Sequence, residues 1–121
     1  ENRFKNELFI EQMAVIGDRR KFLVALIVPG FDAVRDWAGR NGIEAQTPSE
    51  IAAHPGVIAK FAEIIDAVNE EFGRVEQVKN FRLLDHPFSQ ETGELTPTLK
   101  VKRRVIEQKY HDIIETMYEE N

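Results

Sequence analysis

Phe22-Leu23-Val24-Ala25-Leu26-Ile27-Val28, ended by Pro29, is the longest uninterrupted apolar run in the chain. Its reading decides the fold. Seven residues are too few for a typical helix and cannot span a bilayer. The run is rich in β-branched side chains and holds no polar position, so it reads as a strand buried on both faces. Just upstream, Ile10 to Ile16 mixes apolar and polar positions and ends at the turn signal Gly17-Asp18. The two strands, about residues 10–17 and 21–28, are expected to pair as a hairpin across residues 17 to 21. Val78 to Leu84 alternates well enough for a third strand, residues 78–84, with Phe81 and Leu83 on one face.

Helical patterns surround these strands. Phe4 and Leu8 stand four apart, as in a helix end or a single amphipathic turn. Phe31, Val34, Trp37 and Ala38 recur at helical spacing until Asn41-Gly42. Thr47-Pro48-Ser49-Glu50 is a capping box with proline at the first helical position, which starts a short helix to about Ala53. His54-Pro55-Gly56 interrupts the pattern. Val57, Phe61, Ile64, Ile65, Val68 and Phe72 then form one apolar stripe, with Lys60, Glu63, Asp66, Glu70 and Glu71 facing water, until Gly73. Residues 86–98 hold two prolines, a glycine and several Ser/Thr, so they read mostly as loop. Pro97-Thr98 reads as a helix start, and Ile106, Tyr110, Ile113 and Met117 follow at spacings of about 4, 3 and 4. The expected fold is α+β: a small three-stranded, mostly antiparallel sheet covered by helices, with a helix at the C-terminus.

The 121 residues fit one domain, and the first residue, Glu1, suggests a piece of something longer. No cysteine is present, so no disulfide framework or thiolate metal site exists. No signal-peptide pattern appears. His54, His86 and His111 are scattered, none in a metal-binding spacing, and read as structural or solvated. There is no P-loop, no G-x-S-x-G and no G-x-G-x-x-G. Lys and Arg total 16 against 21 Asp and Glu, a net charge of −5. Four of those cations fall within Lys100-Val101-Lys102-Arg103-Arg104. One basic spot on an acidic body, without interleaved aromatics, does not suit a nucleic-acid binder. Cations also oppose the dipole at a helix start, which calls for a compensating anion, either an acidic patch or a phosphate. The plain alternative is a solvated basic turn.

Gly93-Glu94-Leu95-Thr96-Pro97-Thr98-Leu99-Lys100-Val101-Lys102-Arg103 closely resembles the final signature motif of long-chain fatty acyl-CoA synthetases, members of the adenylate-forming, AMP-binding superfamily. Ile10 to Asp18, with Arg20-Lys21-Phe22 and Ala25 to Pro29, resembles the strand pair of that subfamily's C-terminal domain. Glu1-Asn2 resembles the end of its Pro-Ile-Glu-Asn element. In order, these cover essentially the whole chain. The wider superfamily has Ser-Gly before the lysine; Thr98-Leu99 stands there instead, as in the long-chain subfamily.

The resemblance implies a mobile C-terminal lid domain, with the large N-terminal domain and a glycine-bearing hinge upstream of Glu1. It implies a parent ligase that takes fatty acid, ATP and CoA, with Mg2+, to acyl-CoA, AMP and diphosphate by way of an acyl-adenylate. Lys100 is then the catalytic residue of adenylation, near the carboxylate and the α-phosphate. Lys102 and Arg103 are candidates to contact CoA phosphates or the other domain, as is Arg104. The fragment alone is expected to be inactive, with none of these cofactors bound. Its expected partner is the N-terminal domain of the same parent chain, with no nucleic acid and no transmembrane segment. The expected location is cytoplasmic, or peripheral at a membrane surface in the parent. A competing reading is a non-catalytic regulatory or small-molecule-sensing α+β module. Such a module would not need the Leu95-to-Arg103 motif.

Overall fold

The computed structural model describes residues 8–71, 73 and 77–120. The expected helical turn at Phe4 and the reading of Phe72 as the end of a helical stripe lie outside these residues. Strands β1 (Ile10–Ile16), β2 (Leu23–Pro29) and β3 (Val78–Leu83) form one sheet in the order β1-β2-β3. Helices α1 (Phe31–Arg40), α2 (Pro48–Ala53) and α3 (Pro55–Asn69) connect β2 to β3, and α4 (Arg103–Lys109) and α5 (His111–Glu119) close the chain.

β2 lies at the centre and is almost wholly buried. Its side chains alternate between two cores. Ala25 and Ile27, with Leu23 beside them, face the core under α1–α3, which includes Val34, Ile51, Val57, Phe61, Ile65 and Val68. Val24, Leu26 and Val28 face the second core, with Leu84, Phe88, Leu95, Ile106, Tyr110, Ile114 and Met117. Phe81 and Leu83 share the first face, as their alternation indicated.

β1 and β2 pair antiparallel as the expected hairpin, with an irregularity between Ile10 and Gln12. Gly17 sits at its turn with Leu23 packed over it: a Cβ there would lie 2.1 Å from Leu23 Cδ2 and would push that side chain aside. β2 and β3 pair in parallel, so the sheet is mixed rather than mostly antiparallel. The reason is the connection: a three-helix crossover returns the chain to the starting end of β2, whereas a tight turn would reverse it. β3 is seated by Asn69 at the end of α3. The Asn69 amide donates to Val78 O (2.8 Å) and accepts from Val78 N–H (3.0 Å), imitating a neighbouring strand.

Two helix boundaries differ from the sequence reading. His54 does interrupt the helical pattern, with ψ of 125° between α2 and α3, but the break is that one residue: its Nδ1 accepts from Gly56 N–H at 2.9 Å and caps α3, so Pro55 and Gly56 already belong to the helix. At the other end, Pro97-Thr98 does not start a helix; α4 begins at Arg103. The C-terminal helix is also broken at Tyr110, whose φ of −106° and ψ of 23° leave the helical range. The buried stripe differs from the expected one by one residue. Ile106, Tyr110, Ile114 and Met117 are buried, and Ile113, expected inside, is 36% exposed. Among the described residues no helix is long and apolar enough to cross a membrane. Ile114→Ala should therefore cost about 2–5 kcal/mol in urea denaturation. Ile113→Ala should cost under about 1 kcal/mol, being a partly exposed truncation. The reverse ranking would mean that Ile113 rather than Ile114 faces the core.

Candidate active-site loop and its buried anchor

Lys100 sits on a short hairpin built inside the long loop between β3 and α4. Leu95 and Val101 form an isolated antiparallel bridge. Thr96 N–H donates to Lys100 O and Leu99 N–H donates to Thr96 O, both at 2.8 Å. Pro97, Thr98 and Leu99 thus form a three-residue loop. Proline suits the first of these positions, because its fixed φ matches the turn. Leu99 takes φ +65°, the left-handed conformation that the last residue of such a loop adopts. For leucine this costs roughly 1–2 kcal/mol. Lys100 N–H donates to Thr96 Oγ1 at 3.0 Å. Both backbone polar groups of Lys100 are therefore held, while its side chain is exposed to solvent.

The base of this hairpin is anchored by a charge. Glu94 is the one buried polar or charged residue among the described residues, with 0% exposure. Its Oε2 accepts from the Tyr110 hydroxyl at 2.7 Å and lies 3.1 Å from Lys109 Nζ. Its Oε1 accepts from the Thr92 hydroxyl and from Ser89 N–H at 3.3 Å. Burial alone pushes the Glu94 carboxyl up. The bonds from Thr92, Tyr110, Lys109 and Ser89 outweigh it and hold the carboxyl below its ordinary value. Burial also pushes the Tyr110 phenol well above its ordinary value, and the hydrogen bond to Glu94 adds to that. The backbone of Glu94 takes part as well: its carbonyl accepts from Lys102 N–H at 2.8 Å.

Tyr110 extends the chain of contacts outward. His86 Nε2 lies 3.0 Å from the Tyr110 oxygen, and His86 Nδ1 lies 2.7 Å from Asp85 Oδ1. Ser49 of α2 donates to Asp85 Oδ2 at 3.2 Å. Tyr110 has one proton and gives it to Glu94.

Residues 1–121 match the family described as AMP-binding enzyme C-terminal domain. This chain belongs to that family. Relatives of the domain include the long-chain-fatty-acid–CoA ligase FadD15 of Mycobacterium tuberculosis, 34% identical over 119 residues, which cover 98% of this chain and 20% of that protein. Another is long-chain-fatty-acid–CoA ligase 6 of Homo sapiens, 32% identical over 121 residues, 98% of this chain and 17% of that protein. The domain thus spans about a fifth of the length of the curated relatives it matches. Among solved structures, the A-PCP didomain of the carboxylic acid reductase of Segniliparus rugosus, in complex with AMP, matches with a TM-score of 0.75. The match covers 99% of this chain and 15% of that one at 20% identity, a likeness of fold.

Within this AMP-binding C-terminal domain the four basic residues do not converge. Lys100 is on the hairpin turn. Lys102 is the N-cap residue of α4 without a side-chain capping bond, and Arg103 is exposed on the first turn. Arg104 lines a groove of about 510 Å³ with Arg20, His111, Asp18, Glu107 and Glu115, so acidic side chains share its surroundings. Among the described residues no group of three His, Asp or Glu side chains could hold a metal ion. In the sequence Glu94 stands only as a member of the motif and Tyr110 only as a member of the C-terminal stripe, and nothing there links them to each other or to Thr92. An acid inside a Gly- and Thr-rich loop reads as solvated, and its main partner lies sixteen residues ahead in a helix.

Two consequences are measurable. Leu99→Gly removes the left-handed strain and should keep or raise the melting temperature, by up to about 1 kcal/mol of stability. Leu99→Val, β-branched in the same conformation, should lower it by at least about 1 kcal/mol. For Glu94, the depressed folded-state value means that its stabilisation is present above the ordinary carboxylate range and is lost as pH falls through the folded value. Glu94→Gln should therefore cost about 1.5–3 kcal/mol at about pH 7. The gap to wild type should close once the solution is well below about pH 4. Urea denaturation of both proteins across that range checks it; a gap independent of pH would mean that the carboxylate charge does not contribute.

Proposed function

We propose that this domain is the mobile C-terminal part of an ATP-dependent long-chain fatty acid–CoA ligase, and that Lys100 is its adenylation lysine. Two things support the reading: membership of the AMP-binding C-terminal family over residues 1–121, and relatives named as long-chain-fatty-acid–CoA ligases. The observation that carries it is the build of the hairpin. The backbone around Lys100 is tied on both sides, and only the side chain, with its ammonium, is left free in solvent.

In the proposed first step a fatty acid carboxylate oxygen bonds to the α-phosphorus of ATP, and the bond from that phosphorus to the bridging oxygen breaks, releasing diphosphate. Charge shifts onto the leaving oxygen while the attacking oxygen loses its own. An ammonium brought close to these oxygens by closure of the domain stabilises that redistribution. Lysine suits the task, being a compact charge on a long, flexible stem. In the second step the CoA thiol displaces AMP, and the domain presents a different face. Lys102 and Arg103 are proposed to meet CoA phosphates or the large domain. The acyl pocket, the hinge and the nucleotide pocket are assigned to the parent's other domain. The described residues offer no metal cluster, so Mg2+ is assigned to ATP in that domain and no step here runs through it.

In the full-length parent, Lys100→Ala should slow formation of acyl-adenylate by about 10²–10³-fold, the usual loss for one donor aimed at developing charge. Thioester formation from pre-made acyl-adenylate and CoA should be largely spared. Lys100→Arg should rescue poorly, since a planar fork does not replace a compact ammonium. Single-turnover assays of each half-reaction provide the readout. Equal losses in both would assign Lys100 to folding or docking instead. Calorimetric titration of the 121-residue chain with ATP should show no micromolar binding.

A further inference from the structure

The buried carboxylate below the hairpin has no role in the mechanism proposed above, and burying it without a role is costly. It lies six residues before Lys100, and every bond it makes is to the frame of the same loop or to the junction between α4 and α5. Tyr110 Oη and Lys109 Nζ fix it from the helix side, while Thr92 and Ser89 fix it from the loop side. Its own carbonyl holds Lys102 N–H, two residues beyond Lys100. Between these fixed points the chain has room only for the Leu95–Val101 bridge and the three-residue turn. Where that turn sits on the domain is therefore set by where Glu94 is held.

We infer that Glu94 is a positioning residue for Lys100, and that the Tyr110 hydroxyl is what aims it, by locking the Lys100 hairpin to the break between the two C-terminal helices. This rests on Lys100 acting as proposed in the preceding section. Neither residue touches substrate. Each acts through the placement of the hairpin, so its effect exists only in the state in which Lys100 is used. The strained Leu99 fits the same account. A left-handed leucine is kept only if its surroundings over-determine it, and the anchored bridge on either side does so.

The informative variant is Tyr110→Phe, in the full-length parent. It removes the hydroxyl and keeps the ring, including its edge contact with Phe88 at 6.2 Å. It should slow acyl-adenylate formation about 10- to 100-fold, the scale on which misplacement of a reacting group is felt. The KM values for ATP and fatty acid should stay within about twofold, since uniform binding is untouched. Thioester formation should also stay within about twofold. Glu94→Gln should show the same selectivity. The decisive measurement is a double-mutant cycle: once Lys100 is alanine, Tyr110→Phe should slow adenylation no further. Additive losses, or equal losses in the two half-reactions, would make Tyr110 and Glu94 ordinary structural residues and overturn the inference. Wild-type adenylation rates in Tyr110→Phe and Glu94→Gln would overturn it too. A Lys100→Ala enzyme that adenylates normally would instead defeat the proposed function. That single variant separates the two failures.

Discussion

The central strand β2 is paired on both edges and covered on both faces, and the rest of the domain follows from satisfying it. Leu23, Ala25 and Ile27 point one way and Val24, Leu26 and Val28 the other, so no face of the strand is left for water. A strand with two apolar faces demands two layers of cover. α1–α3 form one and α4–α5 the other. The hairpin partner β1 can be adjacent in sequence, but β3 cannot. After β2 the chain must first build the helical layer on one face, so it comes back parallel, and only after β3 is the second face closed. The long loop between β3 and α4 crosses the domain to begin that second layer, and it is this loop that carries Lys100.

Closing the second layer leaves a polar problem inside it. Glu94 enters the core edge next to Leu95 and Tyr110, where an unpaired carboxylate would be intolerable. The domain meets this with four donors rather than one salt bridge: a phenol, an ammonium, a hydroxyl and a backbone N–H. Among the described residues no buried side-chain N or O atom lacks a partner. Satisfying the carboxylate has a geometric effect, because the Tyr110 hydroxyl reaches Glu94 from the point where the C-terminal helix breaks. The helix break and the loop base are one feature seen from two ends. The links further out, through His86, Asp85 and Ser49, are solvent-exposed and contribute less.

What was legible in the sequence was what local pattern encodes. The apolar run at residues 22–28, the capping box at Thr47 and Glu50, and the stripe from Val57 to Val68 each express one environment over several residues, and each appears as expected. What misled was residue chemistry that serves two structures equally. Proline has the same φ at a helix start and at the second position of a turn. Pro97 reads as a helix start and belongs to a turn; Pro55 reads as part of a break and begins α3, the break itself being His54 alone. Only the contact between Leu95 and Val101, or a capping bond, decides such cases. The shift from Ile113 to Ile114 has a similar origin: spacings of 4, 3, 4 and of 4, 4, 3 are equally helical, so periodicity alone does not choose between them. Lys100 stands out in the sequence through its motif; the anchor beneath its hairpin does not, because the bond between Glu94 and Tyr110 joins segments with no shared periodicity.

The division between backbone and side chain at Lys100 bears on how such a domain could work. On the proposed function, one ammonium has to arrive at a site in another domain, leave, and arrive again. A loop that was itself mobile would have to be ordered at each arrival, at a cost of about 1–2 kcal/mol for every backbone residue fixed. Here that ordering is already present. Thr96 and Lys100 hold one another, Glu94 holds the base, and the strain at Leu99 is absorbed by the folded domain. Freedom remains only in the lysine stem, where flexibility is needed to follow an oxygen whose charge changes during the reaction. A rigid turn carrying one flexible cation lets the domain deliver its charge by rigid-body motion alone. On the inference drawn for Glu94, the buried carboxylate is the point at which the motion of the domain becomes the position of an atom.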